Sequence, residues 1–128
     1  MSLTINTGTD ELLCLIDDRV ATITLNRPGK RNALSDRLTP ALRRILLELD
    51  TRQDVGCIVI TGAGSAFCAG GDISGMSAVG GDPSALEPTI QERTRALQHK
   101  HDTLTHRLFD HSKPTIAALP GVAAGAGF

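Results

Sequence analysis

Cys57-Ile58-Val59-Ile60-Thr61, followed at once by Gly62-Ala63-Gly64-Ser65-Ala66-Phe67-Cys68-Ala69-Gly70-Gly71-Asp72, is the stretch that decides the fold. An unbroken apolar run of this length suits a strand covered on both faces, the environment of a parallel sheet with helices outside it. The small residues after it let the chain turn tightly and let a ligand lie against bare backbone. The same layout returns near the C-terminus. Thr115-Ile116-Ala117-Ala118-Leu119, read as a buried strand, opens into Gly121-Val122-Ala123-Ala124-Gly125-Ala126-Gly127-Phe128. The sequence stops there, where a helix would be expected to follow the turn. That predicts a missing element and apolar surface left uncovered.

Working outward, Leu12 to Ile16 is an apolar run that suits a short strand, and Asp17-Asp18-Arg19 is a turn. Val20 to Leu25 alternates apolar and polar residues, as a half-buried strand does. The two predict a hairpin. Asn26 to Asn32 is a loop around Pro28 and Gly29. A helix follows, with Ser35 as N-cap and Asp36 in its first turn. Leu38, Ala41, Leu42, Ile45, Leu46 and Leu49 form its apolar face. A short helix is expected near Asp72–Ser77, and a loop at Gly80-Gly81-Asp82-Pro83. Residues 88–111 predict one long helix, with Ile90, Thr94, Leu97, His101, Leu104 and Leu108 recurring at three and four residues. Lys113-Pro114 ends it. The order strand, strand, helix, strand, helix, strand predicts an α/β chain in which ββα or βα units each add to a growing sheet.

Composition excludes several classes. The 128 residues carry a net charge of −1, so no basic field points to nucleic acid or an anionic membrane surface. Three Phe, with no Tyr and no Trp, offer no base-stacking platform. No apolar run spans a membrane, and no basic-then-apolar signal opens the chain. Cys14, Cys57 and Cys68 are odd in number and lack C-x-x-C spacing; Cys14 and Cys57 read as buried thiols in a reducing cytoplasm.

The two glycine-rich turns carry the chemistry. Asp72 can cap a helix and orient the peptide groups before it. An N–H near a helix start is a good donor to a developing negative oxygen. Gly125-Ala126-Gly127 would do the same if a helix follows, and two such donors make an oxyanion hole. By spacing alone, the plainer reading of two turns linking strands to helices serves at least as well. A phosphate loop fails because no Lys follows either glycine cluster, and a dinucleotide fingerprint fails at Phe67. Arg27, Lys30 and Arg31 form a basic cluster, either solvated or in contact with the phosphates of a cofactor handle. His99, His101, His106 and His111 lack the i, i+4 spacing of a helical metal site; Asp102 and His106 alone have it, so no metal is expected. Cys68 has no evident base partner.

Three strings, in order and properly spaced, resemble the crotonase superfamily of acyl-CoA enzymes, typified by enoyl-CoA hydratase and isomerase. They are Ile23-Thr24-Leu25-Asn26-Arg27-Pro28 with Asn32-Ala33-Leu34; Ile58 to Gly62 with Ala66 to Ile73; and Lys113 to Ala118 with Gly121 to Gly127. The resemblance implies a spiral of ββα units, incomplete at the C-terminus, with residues 1–128 as the N-terminal part of an acyl-CoA-binding domain. It implies a thioester carbonyl held by the N–H groups of Gly71 and Ala126. Ala66, Ala69, Gly70, Asp72 and Ile73 would line the adenine and pantetheine path, with Asp72 holding the turn. Lys30, Arg31 and Ala33 would lie near the nucleotide of coenzyme A. Coenzyme A would enter as part of the substrate, with no covalent cofactor and no metal. The implied function is hydration of a 2-enoyl-CoA; isomerase or hydrolase chemistry, or a non-catalytic CoA-binding or oligomerising piece, is the alternative. The family's first catalytic glutamate would stand three residues after Ala126, beyond Phe128, so these 128 residues alone are expected to be inactive. A homotrimer or a dimer of trimers in the cytoplasm is the assembly implied.

Overall fold

The computed structural model describes residues 2–71, 89–100 and 104–128. The short helix near Asp72–Ser77, the loop at Gly80–Pro83 and His101 lie outside them. The hairpin expected from the alternating pattern is present: β2 (Leu12–Asp17) pairs antiparallel with β3 (Val20–Leu25). Asp18 and Arg19 turn between them with φ of 49° and 66°, the left-handed pair that matches strand twist in a two-residue hairpin. A strand not anticipated, β1 (Ser2–Ile5), adds antiparallel to the outer side of β2.

From β3 the chain crosses through helix α1 (Leu38–Thr51) to β4 (Cys57–Gly62), which lies parallel to β3. All six expected apolar residues of α1 are buried, because spacing by three and four puts them on one stripe. They meet Leu12, Cys14 and Ile16 of β2, Ala21, Ile23 and Leu25 of β3, and Ile58 and Ile60 of β4 in one core. The helix begins at Leu38, later than expected, yet the Ser35 hydroxyl does accept the Leu38 N–H at 3.0 Å.

The final strand of the main sheet, β6 (Thr115–Ala118), lies parallel to β4 and completes the order β1-β2-β3-β4-β6. It was expected to be buried and is exposed along its length. The reason is position: β6 is the sheet edge, and its own residues cannot supply a cover. β4 departs from its expectation in the same way, with Ile58 and Ile60 buried and Cys57 and Val59 only half-buried. The segment leading to β6 is fixed by the C-terminal end of α1. Lys113 Nζ donates to the carbonyls of Leu49 and Arg52, the Ser112 hydroxyl meets the Asp50 carboxylate, and His111 Nε2 lies 3.0 Å from the Leu46 carbonyl oxygen.

The single long helix expected over 88–111 is described as α2 (Ile90–Lys100) and α3 (His106–Phe109). A capping box starts α2: Thr89 Oγ1 accepts the Glu92 N–H at 3.2 Å and Glu92 Oε2 accepts the Thr89 N–H at 2.7 Å. Of the expected stripe, Leu104 is buried and Leu108 packs on the core, whereas Ile90 and Thr94 are exposed. A second, two-stranded sheet pairs β5 (Ala66–Cys68) parallel with β7 (Val122–Ala123). Among the described residues no helix is long and apolar enough to cross a membrane.

Candidate functional site

The parallel pairing of β5 with β7 brings together the two glycine-rich turns that lie over 50 residues apart in sequence. The Ala124 N–H donates to the Cys68 carbonyl at 3.0 Å, extending the ladder into the turns. Beyond β7 the chain makes a 3-10 turn, Gly125–Gly127, packed on β5. A Cβ built on Gly125 would lie 3.9 Å from the Cα of Gly70, so the two turns touch backbone to backbone.

The orientation of the Gly70–Gly71 and Gly125–Ala126 peptides follows from their carbonyl ends. In a trans peptide the C=O and the N–H point in opposite directions. The Gly70 carbonyl accepts the Leu34 N–H at 2.7 Å, so the N–H of Gly71 points away from Leu34. The Gly125 carbonyl accepts the Phe128 N–H at 3.1 Å, so the N–H of Ala126 points away from Phe128. An amide whose carbonyl already accepts a hydrogen bond is polarised and donates more strongly. Gly71 is exposed, and no atom of the described residues lies within 4 Å of a Cβ built on it.

The loop between β3 and α1 flanks this site. It opens with a 3-10 turn, Pro28–Lys30, and passes through Arg31 and Asn32, both at positive φ. Lys30 and Arg31 are exposed. Arg27 is not available as their partner in a phosphate site. Its Nε lies 2.8 Å from Glu11 Oε1, with both side chains only 15% exposed, and its Nη1 donates to the Ala33 carbonyl at 2.7 Å. A guanidinium presents a planar fork of donors, and here the fork ties the loop to the start of β2. Ala33, Ala66 and Gly70 are buried and Ala69 is exposed; Asp72 and Ile73 lie outside the described residues. The Ala69 N–H donates to the Arg31 carbonyl at 3.0 Å.

Asn32, which the sequence offers only as a loop residue, is fully buried and central. Its Oδ1 accepts the Arg27 N–H at 2.8 Å, and its Nδ2 donates to the carbonyls of Ala63 and Ala66 at 3.0 and 2.9 Å. The one local signal is chemical: Asn tolerates the left-handed backbone that most residues avoid, and its φ here is 57°.

Cys68 sits beneath the site but is not poised as a nucleophile. Burial raises its thiol pKa, and only a thiolate attacks efficiently. Burial likewise pushes Cys14 up to about 11. In the folded protein, Cys14 is expected to resist Ellman's reagent at pH 8 and to react fully once the chain is unfolded in guanidinium. Prompt labelling of Cys14 in the folded chain, located by peptide mapping, would contradict the packing described. Among the described residues no group of three or more His, Cys, Asp or Glu could hold a metal ion.

The chain is similar to known proteins in sequence and in fold. A family model described as enoyl-CoA hydratase/isomerase matches residues 16–128. The protein named probable enoyl-CoA hydratase EchA14 of Mycobacterium tuberculosis is 38% identical over 125 residues, covering 92% of this chain and 42% of that protein. The 1,2-epoxyphenylacetyl-CoA isomerase of Escherichia coli K12 is 34% identical over 116 residues, covering 91% and 42%. The solved structure of enoyl-CoA hydratase EchA8_6 from Mycobacterium marinum superposes with a TM-score of 0.71 at 33% identity, covering 91% of this chain and 51% of that one. The chain thus spans about two fifths of the length of the curated relatives it matches.

Proposed function

The chain belongs to the enoyl-CoA hydratase/isomerase family, and from that premise we propose that it holds the thioester carbonyl of an acyl-CoA between the N–H groups of Gly71 and Ala126. The observation that supports this reading is the pair of neighbouring peptides whose carbonyls are both engaged, by the Leu34 N–H and the Phe128 N–H, so that each N–H faces away from its carbonyl's partner. As negative charge develops on the thioester oxygen, fixed donors stabilise the enolate without reorganising. Each such donor typically contributes about 3 kcal/mol at the transition state. The exposed cations Lys30 and Arg31 would meet the phosphates of the coenzyme A handle. The reaction proposed is hydration of a 2-enoyl-CoA, with proton transfers by carboxylates expected after Phe128. The assembly proposed is a homotrimer or a dimer of trimers, working in the cytoplasm.

A second reading has a specific observation in its favour. The relatives that share this region at 34% and 38% identity are named for different reactions, an isomerase and a hydratase. What they share with this chain is therefore compatible with more than one fate of the enolate.

The test is spectroscopic. A chromophoric cinnamoyl-CoA thioester absorbs at longer wavelength when its carbonyl is polarised by hydrogen bonds. The 128-residue protein is expected to bind it with a red shift, while leaving crotonyl-CoA unhydrated. Binding without a shift, or no binding, would overturn the oxyanion reading; hydration by the chain alone would overturn the placement of the acids.

A further inference from the structure

The Gly70–Gly71 peptide is held from outside by the Leu34 N–H, so its aim is only as good as the placement of the loop that carries Leu34. The Arg27–Glu11 pair fixes that loop on the β2 side. On the site side the tie is the Asn32 carboxamide, which bridges the loop backbone at Arg27 to Ala63 and Ala66, the two ends of the β4–β5 turn. Its seat is built to size. A Cβ on Gly62 would stand 2.5 Å from the Ala66 oxygen, 2.6 Å from the Phe67 oxygen and 2.7 Å from Asn32 Nδ2. The residues around Asn32 make the contacts that matter: the Arg31 carbonyl accepts the Ala69 N–H, and the Leu34 N–H donates to the Gly70 carbonyl.

We propose that Asn32 is a positioning residue. Its carboxamide locks the loop against the β4–β5 turn, so that the Leu34 N–H holds the Gly70–Gly71 peptide with the Gly71 N–H turned to the substrate oxygen. This rests on the oxyanion reading above and adds to it the device that aims one donor. Asn is required at 32 on three counts at once: a left-handed backbone, one acceptor for Arg27, and two donors for Ala63 and Ala66. Asp matches the size and the acceptor but places carboxylate oxygen against two carbonyls.

Two variants test it with the cinnamoyl-CoA probe. Asn32→Asp removes the donors of the carboxamide. Replacing the amide of Leu34 by an ester, with leucic acid in place of leucine, removes its N–H and leaves every side chain intact. Both are expected to lose much of the red shift of the bound probe while binding free coenzyme A as the parent protein does. If Asn32→Asp does not fold, as judged by circular dichroism, Asn32→Gly, which keeps the left-handed backbone and deletes the carboxamide, takes its place beside the ester variant. A full red shift in a folded variant overturns the proposal. If Gly71→Pro diminishes the shift in the same experiment, the oxyanion reading survives that failure. A parent protein that binds the probe without any shift overturns both.

Discussion

Gly71→Pro is expected to take away much of the red shift of a bound chromophoric acyl-CoA and to cost 10²- to 10³-fold in turnover wherever the chain is joined to the catalytic acids, about 3 kcal/mol. Gly71→Ala is expected to change neither appreciably. The contrast isolates one hydrogen atom. Proline lacks the N–H, whereas alanine keeps it. For the Cβ that both variants add, space is not the issue, since no described atom lies within 4 Å of it. Proline also restricts the residue before it, and Gly70, with no Cβ, is the residue least affected by that restriction. The carbonyl of Gly70 stays available to Leu34, so the loop contact survives in both variants. Thermal melts of the two variants should therefore track the parent protein while their spectra diverge. An undiminished red shift in Gly71→Pro would remove Gly71 from the site.

Several parts of this arrangement were legible in the sequence because they depend on local pattern. The stripe from Leu38 to Leu49 needed only helical spacing, and the alternation from Val20 to Leu25 needed only the two-residue period. Local pattern did not reveal β5 and β7. Three and two residues of small or mixed character become strands only because each pairs with the other across the fold. Nor could it give the exposure of β6, whose Thr-Ile-Ala-Ala sequence would suit a covered strand equally well; what covers a strand is decided by other elements. Arg27 illustrates the same limit at the site. Beside Lys30 and Arg31 it reads as one of three cations, but its partner Glu11 is 16 residues away and neutralises it within the structure. That the two glycine-rich turns adjoin follows from the pairing of β5 with β7, and the place of Asn32 is not legible locally, because its carboxamide contacts residues more than 30 positions along the chain.

Gly127→Val should separate the two donors without removing either. A Cβ on Gly127 would lie 2.5 Å from the Cys68 oxygen, 2.6 Å from its Cβ and 2.7 Å from its sulfur. Contacts that short do not persist, and β5 cannot yield easily because Cys68 is buried in the core. The 3-10 turn at Gly125–Gly127 is the part that moves, since it has few anchors beyond the Ala124 N–H on Cys68. A shift of roughly 1 Å in a positioning group can cost about 10²-fold in rate. The Gly71 donor stays in place, so the red shift of the bound probe should fall partway in Gly127→Val, as it does in Gly71→Pro, where the Ala126 donor remains. Combining Gly127→Val with Gly71→Pro should remove what is left of the shift. Parent-like spectra in Gly127→Val would mean that the C-terminal turn does not contribute a donor, and the carbonyl would then be held from the Gly71 side alone.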